Sequence, residues 1–498
     1  MKEYLCDSCR FKIELEENIS KCPKCGSDSF HVVEDIANNE IDAIIESMLE
    51  EAKEEKKSRI INKNENDKCI LLSDDNYSIE KNNDKCINCG QCKKVCENIA
   101  NLTYDLNICN DPICTGCGQC VLSCPTKALS IKSEYRKVKQ IMDANEKIVI
   151  AILSPSVFLT IGKIYNIDDV SVAEKKTIGI LRKTGFDYIF SSSFGSDLLS
   201  FEESFELIER ISKKEKLPLF TSSCPSWIKY AEIYHPELLN NLSYCKTPIE
   251  MEDEIIKNYF CEKKGFDRKR IVTVSISNCS AYKLYGKEKN VNTDYFITTN
   301  ELLLLIKDED IDLKTIDSSN YDSIVGEISG SGYLSSVSGG QTESIIRTVY
   351  RVINKKDLAK DEIDIYELRG NEDIREATIN TNSLKLKVAV VTDMKSLEKL
   401  LENSLYKQYH LIEVSFCKGG CINGGGQAIY ENCNNIENIK DLSEKIYLLD
   451  KNSKNRFVYN NKELKEIYKK YLENPGSNNS KKIFQSNFEN KKVLLGKE

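Results

Sequence analysis

Three short segments in the second half of the chain carry four cysteines among serines and glycines. The segments are residues 221–227 (TSSCPSW), 277–281 (SNCSA) and 417–426 (CKGGCINGGG), and the cysteines are Cys224, Cys279, Cys417 and Cys421. Thiolates are ligands that iron–sulfur clusters and zinc prefer. Three glycines end the last segment, and glycine lets the backbone come close to a bulky neighbour. The four cysteines therefore predict a cage for an iron cofactor.

A tandem cysteine repeat precedes these loops. Each half has the spacing C-x2-C-x2-C-x3-C, and the halves are Cys86, Cys89, Cys92, Cys96 and Cys114, Cys117, Cys120, Cys124. This is the spacing of bacterial two-cluster ferredoxins, in which the fourth cysteine of a run ligates the other cluster. The repeat therefore predicts two 4Fe-4S clusters. Cys86, Cys89, Cys92 and Cys124 would hold the first, and Cys114, Cys117, Cys120 and Cys96 the second. Such a domain moves single electrons and implies a ferredoxin or another one-electron partner.

A four-cysteine knuckle lies at the start of the chain. Its two C-x2-C pairs are Cys6 with Cys9 and Cys22 with Cys25, and twelve residues separate the pairs. Two such pairs can close a tetrahedral four-thiolate site, and a segment this short needs the metal to fold. The segment resembles a zinc ribbon or a rubredoxin-like knuckle. Zinc and iron both accept four thiolates, and the short gap favours zinc.

From about residue 145 apolar runs alternate with helical stretches, which predicts an α/β domain with buried strands. The predicted strands are Ile148–Leu153, Tyr188–Phe190, Leu219–Thr221, Ile271–Ile276, Leu386–Val391 and Leu411–Val414. Ligands of open α/β sheets lie beyond the carboxyl ends of the strands. Ser154, Ser156 and the cysteine loops follow directly after strands, so the strand ends should position the site.

The bulk composition restricts the class of protein. The chain has 498 residues, a net charge of −8 and 21 cysteines. It has no block of Lys and Arg that would predict a nucleic-acid partner, and no apolar run near the ~18 residues that a membrane span needs. The polar start, with no signal peptide, predicts a cytoplasmic protein whose clustered thiols bind metal rather than form disulfides. Five cysteines outside the motifs are interpreted as small buried residues: Cys69, Cys109, Cys245, Cys261 and Cys433.

The cysteine loops resemble the three signature segments of the iron-only (FeFe) hydrogenases, in the same order. Trp227 and the segments 234–243 (YHPELLNNLS) and 338–340 (SGG) extend the resemblance over roughly residues 80–485. The resemblance implies the H-cluster, a 4Fe-4S cubane joined through one thiolate to a two-iron unit with CO, cyanide and a bridging dithiolate. It implies Cys224, Cys279, Cys417 and Cys421 as ligands, with Cys421 as the bridge. It also implies cofactor contacts from Ser156 and Thr247, with H2, protons and maturation proteins as partners.

The proton side departs from the family pattern. The family's proton-relay cysteine is replaced by Ser223, whereas Glu203, Glu206 and Ser243 match the rest of its path. A thiol has a pKa of about 8.5, and a hydroxyl is a far weaker acid. Tyr282 stands at the family's cyanide-binding lysine with Lys283 next to it, Ser415 replaces a methionine, and Ser277-Asn278 replaces Met-Pro. These changes retune a site without abolishing binding, and they resemble the sensory branch of the family.

The sequence thus predicts an α+β multidomain chain. Its segments are the knuckle (1–33), a helix and linker (34–75), a two-cluster ferredoxin domain (76–135), a two-lobed α/β iron-hydrogenase domain (140–435) and a helical small-subunit-like tail (440–498). The predicted function is reversible reaction with H2, with electrons relayed through the two clusters, slow or sensory because of Ser223. The alternatives are a fully active ferredoxin-linked hydrogenase in which Ser223 or a water carries protons, and a non-catalytic iron–sulfur assembly relative that holds only a cubane.

Overall fold

The computed structural model of the chain forms two compact units, Met1–Asp67 and Lys68–Glu498. For residues 2–6, 12–15 and 30–33 only the backbone is described. The described residues are 2–6, 12–15, 20–22, 24, 29–33, 69–70, 72–73, 76–102, 113–313, 315–323, 327–402, 404–430 and 433–495.

The first unit contains a three-stranded antiparallel sheet with β1 (Lys2–Cys6) between β2 (Lys12–Leu15) and β3 (Phe30–Val33). Cys22 is buried. Cys9 and Cys25 lie outside the described residues, so the four-thiolate site stays a prediction. The predicted helix and linker between residues 34 and 68 lie outside them as well.

The ferredoxin segment repeats its structure as it repeats its sequence. The short helices α1 (Gln91–Val95) and α2 (Gln119–Leu122) each begin directly after a glycine with positive φ, +75° at Gly90 and +71° at Gly118. Glycine adopts this left-handed conformation at no steric cost. Strands β4 (Ile79–Lys81) and β5 (Leu129–Ile131) pair antiparallel. This segment belongs to the same compact unit as the rest of the chain after residue 68.

Two four-stranded sheets form the two lobes. The first is fully parallel in the order β10-β9-β6-β7, and the second has the order β11-β12-β13-β8 with only β11 antiparallel. The strands are β6 (Ile148–Leu153), β7 (Tyr188–Ser191), β8 (Leu219–Phe220), β9 (Ile271–Ser277), β10 (Tyr295–Thr298), β11 (Ile374–Asn380), β12 (Lys385–Val391) and β13 (Leu411–Val414). All six predicted strands are present.

Helices cover the sheets. They are α3 (Tyr135–Ala144), α4 (Pro155–Ile164), α5 (Val170–Thr184), α6 (Ser192–Lys213), α7 (Pro225–Tyr234), α8 (Pro248–Glu254), α9 (Cys261–Lys264), α10 (Ala281–Glu288), α11 (Thr299–Asp308), α12 (Gly330–Leu334), α13 (Gly340–Asn354), α14 (Met394–Glu402), α15 (Ile436–Asn452), α16 (Lys462–Ile467) and α17 (Asn478–Phe484). π-Helical turns span Cys96–Ala100, Ile255–Phe260 and Tyr468–Leu472. Short 3-10 turns span Asn83–Lys85, Pro236–Leu238, Arg268–Arg270, Tyr366–Leu368, Leu405–Gln408, Cys421–Asn423, Val458–Asn460 and Lys492–Leu495. Among the described helices, none combines the length and the apolar character that a membrane crossing requires.

The C-terminal tail packs its apolar residues inward and is tied to α6. Leu464, Ile467, Tyr468 and Leu472 are buried. The buried Glu202 carboxylate on α6 accepts from the Tyr468 hydroxyl at 2.6 Å and from the Gly476 N–H at 2.7 Å. The tail therefore holds the long helix that carries Glu203 and Glu206.

Candidate iron cofactor site

The four cysteines of the signature loops line one cavity. Cys224 follows β8 and Cys417 follows β13 in one sheet, whereas Cys279 follows β9 in the other. The cavity therefore lies where strands of both sheets end, as predicted for an α/β fold.

The thiols of this cavity are suited to hold a metal cluster. Desolvation, together with the neighbouring Cys224 and Glu413, raises the pKa of the Cys421 thiol to about 12. Desolvation also raises the pKa of Cys279, with Cys421 and Cys224 adding to the effect. Thiolates crowded in such surroundings need a cation to offset their charge, and iron supplies it. Cys224 caps α7, where the N–H groups of Ser226 and Trp227 face its sulfur. The donor set, four thiols lining one cavity, fits a four-thiolate cubane.

The glycine run brings three loops into contact. A Cβ on Gly425 would lie 2.2 Å from the carbonyl oxygen of Cys117, and one on Gly424 would lie 2.3 Å from that of Asn278. The bulky neighbour expected from the sequence is therefore protein backbone. The glycines seat the third loop against the second loop and against the ferredoxin segment.

The cavity extends past the thiols into polar surroundings. Ten serines line it: Ser154, Ser156, Ser192, Ser196, Ser223, Ser226, Ser277, Ser335, Ser336 and Ser415. Two of them, Ser335 and Ser196, are hydrogen-bonded to each other at 2.6 Å. The space is larger than the four thiols require, and hydroxyl groups dominate its polar lining.

Glu203 contacts Ser222, the residue before Ser223. Its carboxylate is fully buried and accepts from the Ser222 N–H at 3.1 Å and from the Gln341 amide at 2.8 Å. Burial raises the pKa of Glu203 to about 8 because it disfavours the charged carboxylate. Glu203 is thus poised to hold or release a proton near neutral pH, one residue away from the cavity-lining Ser223.

Ser243 and Glu206 continue from Glu203 toward the exterior. The Ser243 hydroxyl donates to Glu206 at 2.9 Å and is also within hydrogen-bond reach of Glu203. Glu206 forms an ion pair with Arg210 at 2.5 Å. Burial raises the pKa of Glu206, and the guanidinium of Arg210 opposes that shift. The structure therefore connects three of the four residues predicted for proton transfer, Glu203, Ser243 and Glu206, with Arg210 as a further member. Ser223 lines the cavity next to Ser222, whose N–H contacts Glu203.

Tyr282 occupies the cavity wall and Lys283 does not. Tyr282 is buried, lines the cavity and stacks on Phe296 with ring centroids 5.6 Å apart. The Lys283 ammonium instead pairs with Glu301 at 3.1 Å. Lys283 therefore cannot stand in for the lysine of the family pattern. Thr247 caps α8 by donating to Glu250 at 2.7 Å and is within hydrogen-bond reach of Tyr282, so it supports the wall from behind.

Asn278 fastens the second loop. Its side-chain amide donates to the Ser156 carbonyl at 3.2 Å and to the Thr160 hydroxyl at 3.1 Å. Its backbone carbonyl accepts from the Gly426 N–H at 2.7 Å. Asn278 is therefore a polar crosslink between the first strand end, the second loop and the glycine run, whereas Ser156 itself lines the cavity.

Ser415 leads to a buried carboxylate that sequence reasoning missed. Its hydroxyl donates to Glu413 at 3.3 Å, and Glu413 also accepts from the Gly339 and Thr342 N–H groups at 2.7 and 2.8 Å. Both Ser415 and Glu413 line the cavity. Every residue of β13 is buried, so no alternation along the strand marks Glu413 as a residue that faces the cavity.

The ferredoxin cysteines surround two further cavities. One is lined by Cys86, Cys89, Cys92 and Cys124 together with Cys69, and the other by Cys96, Cys114, Cys117 and Cys120. In each cavity three cysteines come from one run and the fourth comes from the other: Cys124 joins the first run, and Cys96 joins the second. This is the grouping that the spacing predicts. Cys117 lines both the second of these cavities and the large one. A thiol is therefore shared between the walls of the ferredoxin site and the cofactor site.

Family models match most of the chain. The iron only hydrogenase large subunit, C-terminal domain, matches residues 147–425, the iron hydrogenase small subunit matches residues 437–491, and a 4Fe-4S binding domain matches residues 113–130.

Individual relatives are similar to this chain over most of its length. Iron hydrogenase 1 of Clostridium pasteurianum is 33% identical over 444 residues, which cover 84% of this chain and 77% of the relative. The cytosolic Fe-S cluster assembly factor narfl of Danio rerio is 26% identical over 372 residues, which cover 71% of this chain and 89% of the relative. The solved structure of an apo FeFe-hydrogenase from Chlamydomonas reinhardtii has a TM-score of 0.62 at 26% identity, covering 72% of this chain and 99% of that one.

The fold and the site together define an iron–sulfur protein of the hydrogenase class of oxidoreductases. The chain belongs to the iron-only hydrogenase family. Membership supports iron–sulfur clusters and the H-cluster as its cofactors.

Proposed function

We propose that this protein reacts reversibly with H2 at an H-cluster and exchanges the electrons through two 4Fe-4S clusters, slowly enough to suit a sensory role. The observation that carries the proposal is that Ser223 lines the cofactor cavity, while the preceding residue, Ser222, donates its backbone N–H to the buried Glu203 carboxylate. In this proposal Glu203, Ser243 and Glu206 form the proton path, and the Ser223 hydroxyl stands where the path would begin.

Cys224, Cys279, Cys417 and Cys421 would hold the cubane, and Cys421 would bridge to the two-iron unit. The bound cofactor would supply the cleavage of H2 into protons and electrons. Support for the two-iron unit comes from the extension of the cavity beyond the thiols toward Ser196 and Ser335. Ser156, Tyr282 and Ser415 would face that unit with neutral donors, and Thr247 would hold Tyr282 in place.

Ser223 limits proton transfer in this proposal. Glu203, Ser243 and Glu206 can pass a proton outward through existing hydrogen bonds. A hydroxyl at Ser223 can donate a hydrogen bond, but it releases a proton far less readily than a thiol. General acid–base groups contribute roughly 10²–10⁴-fold to rate, so turnover should be lower by a factor of that order.

Electrons would enter at the first cluster. Cys89 is exposed, and Ile87 beside it is 65% exposed. The shared wall at Cys117 would connect the second cluster to the cubane. A ferredoxin or another one-electron protein is the proposed partner at the first cluster.

The proposed metal of the N-terminal four-cysteine site is zinc rather than iron. The proposed location is the cytoplasm.

Two alternatives remain specific enough to test. The first alternative is a cubane-only assembly relative: the chain is also similar to the Danio rerio assembly factor, and the glycine run serves loop packing and does not by itself require a two-iron unit. A fast ferredoxin-linked hydrogenase would need Ser223 or a water to replace the thiol.

Infrared spectroscopy separates these functions. Protein made with the hydrogenase maturation machinery should show CO and cyanide bands and slow H2 oxidation. Absence of bands in protein with fully loaded cubanes would support the assembly relative, and turnover equal to that of a cysteine-bearing hydrogenase would support the fast enzyme.

A further inference from the structure

Five cysteines, one more than a 4Fe-4S cluster uses, line the cavity of the first ferredoxin cluster. Four are those of the predicted ligand set, and the fifth is Cys69. Cys69 is 17 residues before Cys86, a distance that matches no ligand spacing, and it was expected to be a small buried residue. Its side chain is indeed buried, with 6% exposed, but it is buried against cluster ligands.

The contacts of Cys69 fix which ligand it accompanies. Its sulfur lies 3.3 Å from the sulfur of Cys86 and 3.5 Å from the side-chain oxygen of Asn88. The next residue, Ile70, donates its backbone N–H to the sulfur of Cys92 at 3.4 Å. The segment that carries Cys69 is therefore docked on the cluster site through two separate contacts with cluster cysteines.

We propose that Cys69 is an alternative ligand for the iron atom that Cys86 binds. Each iron of a cubane takes one protein thiolate, so two sulfurs in contact address the same iron and bind it in turn. In the exchange the bond from iron to the Cys86 sulfur breaks and the bond to the Cys69 sulfur forms. The proton of the Cys69 thiol passes to the Cys86 sulfur, and no electron is transferred. This inference rests on the proposed ligand set of the first cluster.

The second cluster provides an internal comparison. Among the residues that the structure describes, only Cys96, Cys114, Cys117 and Cys120 are cysteines of its cavity. The first cluster is also the one with an exposed ligand, Cys89. A reserve thiol is thus present at the cluster that meets solvent, and it would keep four thiolates on that cluster when Cys86 is released.

The test uses the full chain produced without maturation proteins, so that only cubanes are loaded. Cys86→Ala should retain three cubanes' worth of acid-labile sulfide and its 4Fe-4S electron paramagnetic resonance (EPR) signals. Adding Cys69→Ala should remove one cubane. Loss of the first cluster from Cys86→Ala alone, or its conversion to a 3Fe-4S form, would overturn the proposal, as would retention of all three cubanes in the double variant.

Controls separate this inference from the ligand assignment. Cys114 lines a cavity in which the described residues include no fifth cysteine, so Cys114→Ala should lose one cubane, whereas Cys69→Ala alone should keep all three. A wild type with fewer than three cubanes would instead contradict the proposed clusters themselves.

If Cys86→Ala fails to fold, prolonged alkylation of native wild type provides the second measurement. Exchange predicts labelled Cys86 in protein that retains its sulfide, and no such labelling in Cys69→Ala. Label confined to Cys69 would overturn the proposal.

Discussion

Gln119 of the ferredoxin segment donates from its side-chain amide to the sulfur of Cys417 at 3.4 Å. The same nitrogen donates to the carbonyl oxygen of Asn423 at 2.9 Å. Gln119 is buried, and its partner lies 298 residues further along the chain. This hydrogen bond reaches a proposed cubane ligand from the neighbouring cluster's own helix. It therefore directly links the second ferredoxin segment to the cofactor loop.

Replacement of Gln119 by leucine should lower the reduction potential of the Cys417 cubane. A donor on a thiolate stabilises the more negative, reduced state, and its loss favours the oxidised one. We expect a shift of roughly 20–60 mV, since about 59 mV is a tenfold change in a one-electron equilibrium. EPR-monitored redox titration measures it. Gln91→Leu is the matched control, because Gln91 holds the equivalent position in the first repeat and is exposed. An equal shift in both variants, or none in Gln119→Leu, would refute a role for the bond.

Ser223→Cys should raise H2 turnover of the matured protein by roughly 10²–10⁴-fold. The cavity position and the path through Glu203 already exist, so the thiol is the missing group. Hydrogen evolution with a reduced dye measures the gain. Ser222→Cys is the control, because the Ser222 hydroxyl donates to the Cys245 carbonyl and its residue does not line the cavity. No gain in Ser223→Cys with full cofactor loading would place the block elsewhere, with Tyr282 and Ser415 the next residues to test.

Hydrogen evolution by Ser223→Cys should fall as the pH rises through about 8. The pKa of Glu203 is raised to about 8, so this carboxyl is protonated below that pH and can donate, and it is ionised above it. Glu203→Gln should abolish this step and lower turnover by ~10²-fold or more. Glu209 lies on the same helix but is paired with Lys213 near the surface. Glu209→Gln in the Ser223→Cys background should therefore keep the pH profile of Ser223→Cys. A profile of Glu203→Gln that still breaks near pH 8 would assign the titration to another group.

Asn278→Ala should destabilise the cofactor loops without changing the ligand set. The substitution leaves buried partners at Thr160 and Thr299 without their amide, and an unpaired buried polar group costs ~1–3 kcal/mol. Thermal unfolding at equal iron content should show a lower Tm than wild type. Asn300→Ala, at an exposed neighbouring position, should show none of this loss. Equal Tm values for all three proteins would show that the Asn278 crosslink contributes nothing measurable.

The cysteine spacing and the apolar runs predicted much of this structure. Strands such as Ile148–Leu153 are continuous apolar runs buried between layers, so their composition reveals them. Strand β11 (Ile374–Asn380) is an edge strand in which buried and exposed residues alternate. Its exposed positions are mostly polar, so it has no continuous apolar run and was not predicted. Strand β10 (Tyr295–Thr298) is a short edge strand of the other sheet, and it was missed as well.

The contacts that tune the site could not be read from local patterns. Gln119 and Cys417, like Cys69 and Cys86, meet only because the fold brings distant segments together. The residue types at Tyr282 and Lys283 were evident in the sequence, but which of them faces the cavity depends on the orientation of α10.

The infrared spectrum of the matured wild-type protein tests the central claim most directly. Protein with all cubanes loaded should show CO and cyanide stretching bands. Cys421→Ala should lose these bands while keeping the two ferredoxin clusters, because those clusters use the separate cysteine runs between Cys86 and Cys124. Wild-type protein with full cubane content and no CO or cyanide bands would contradict the account.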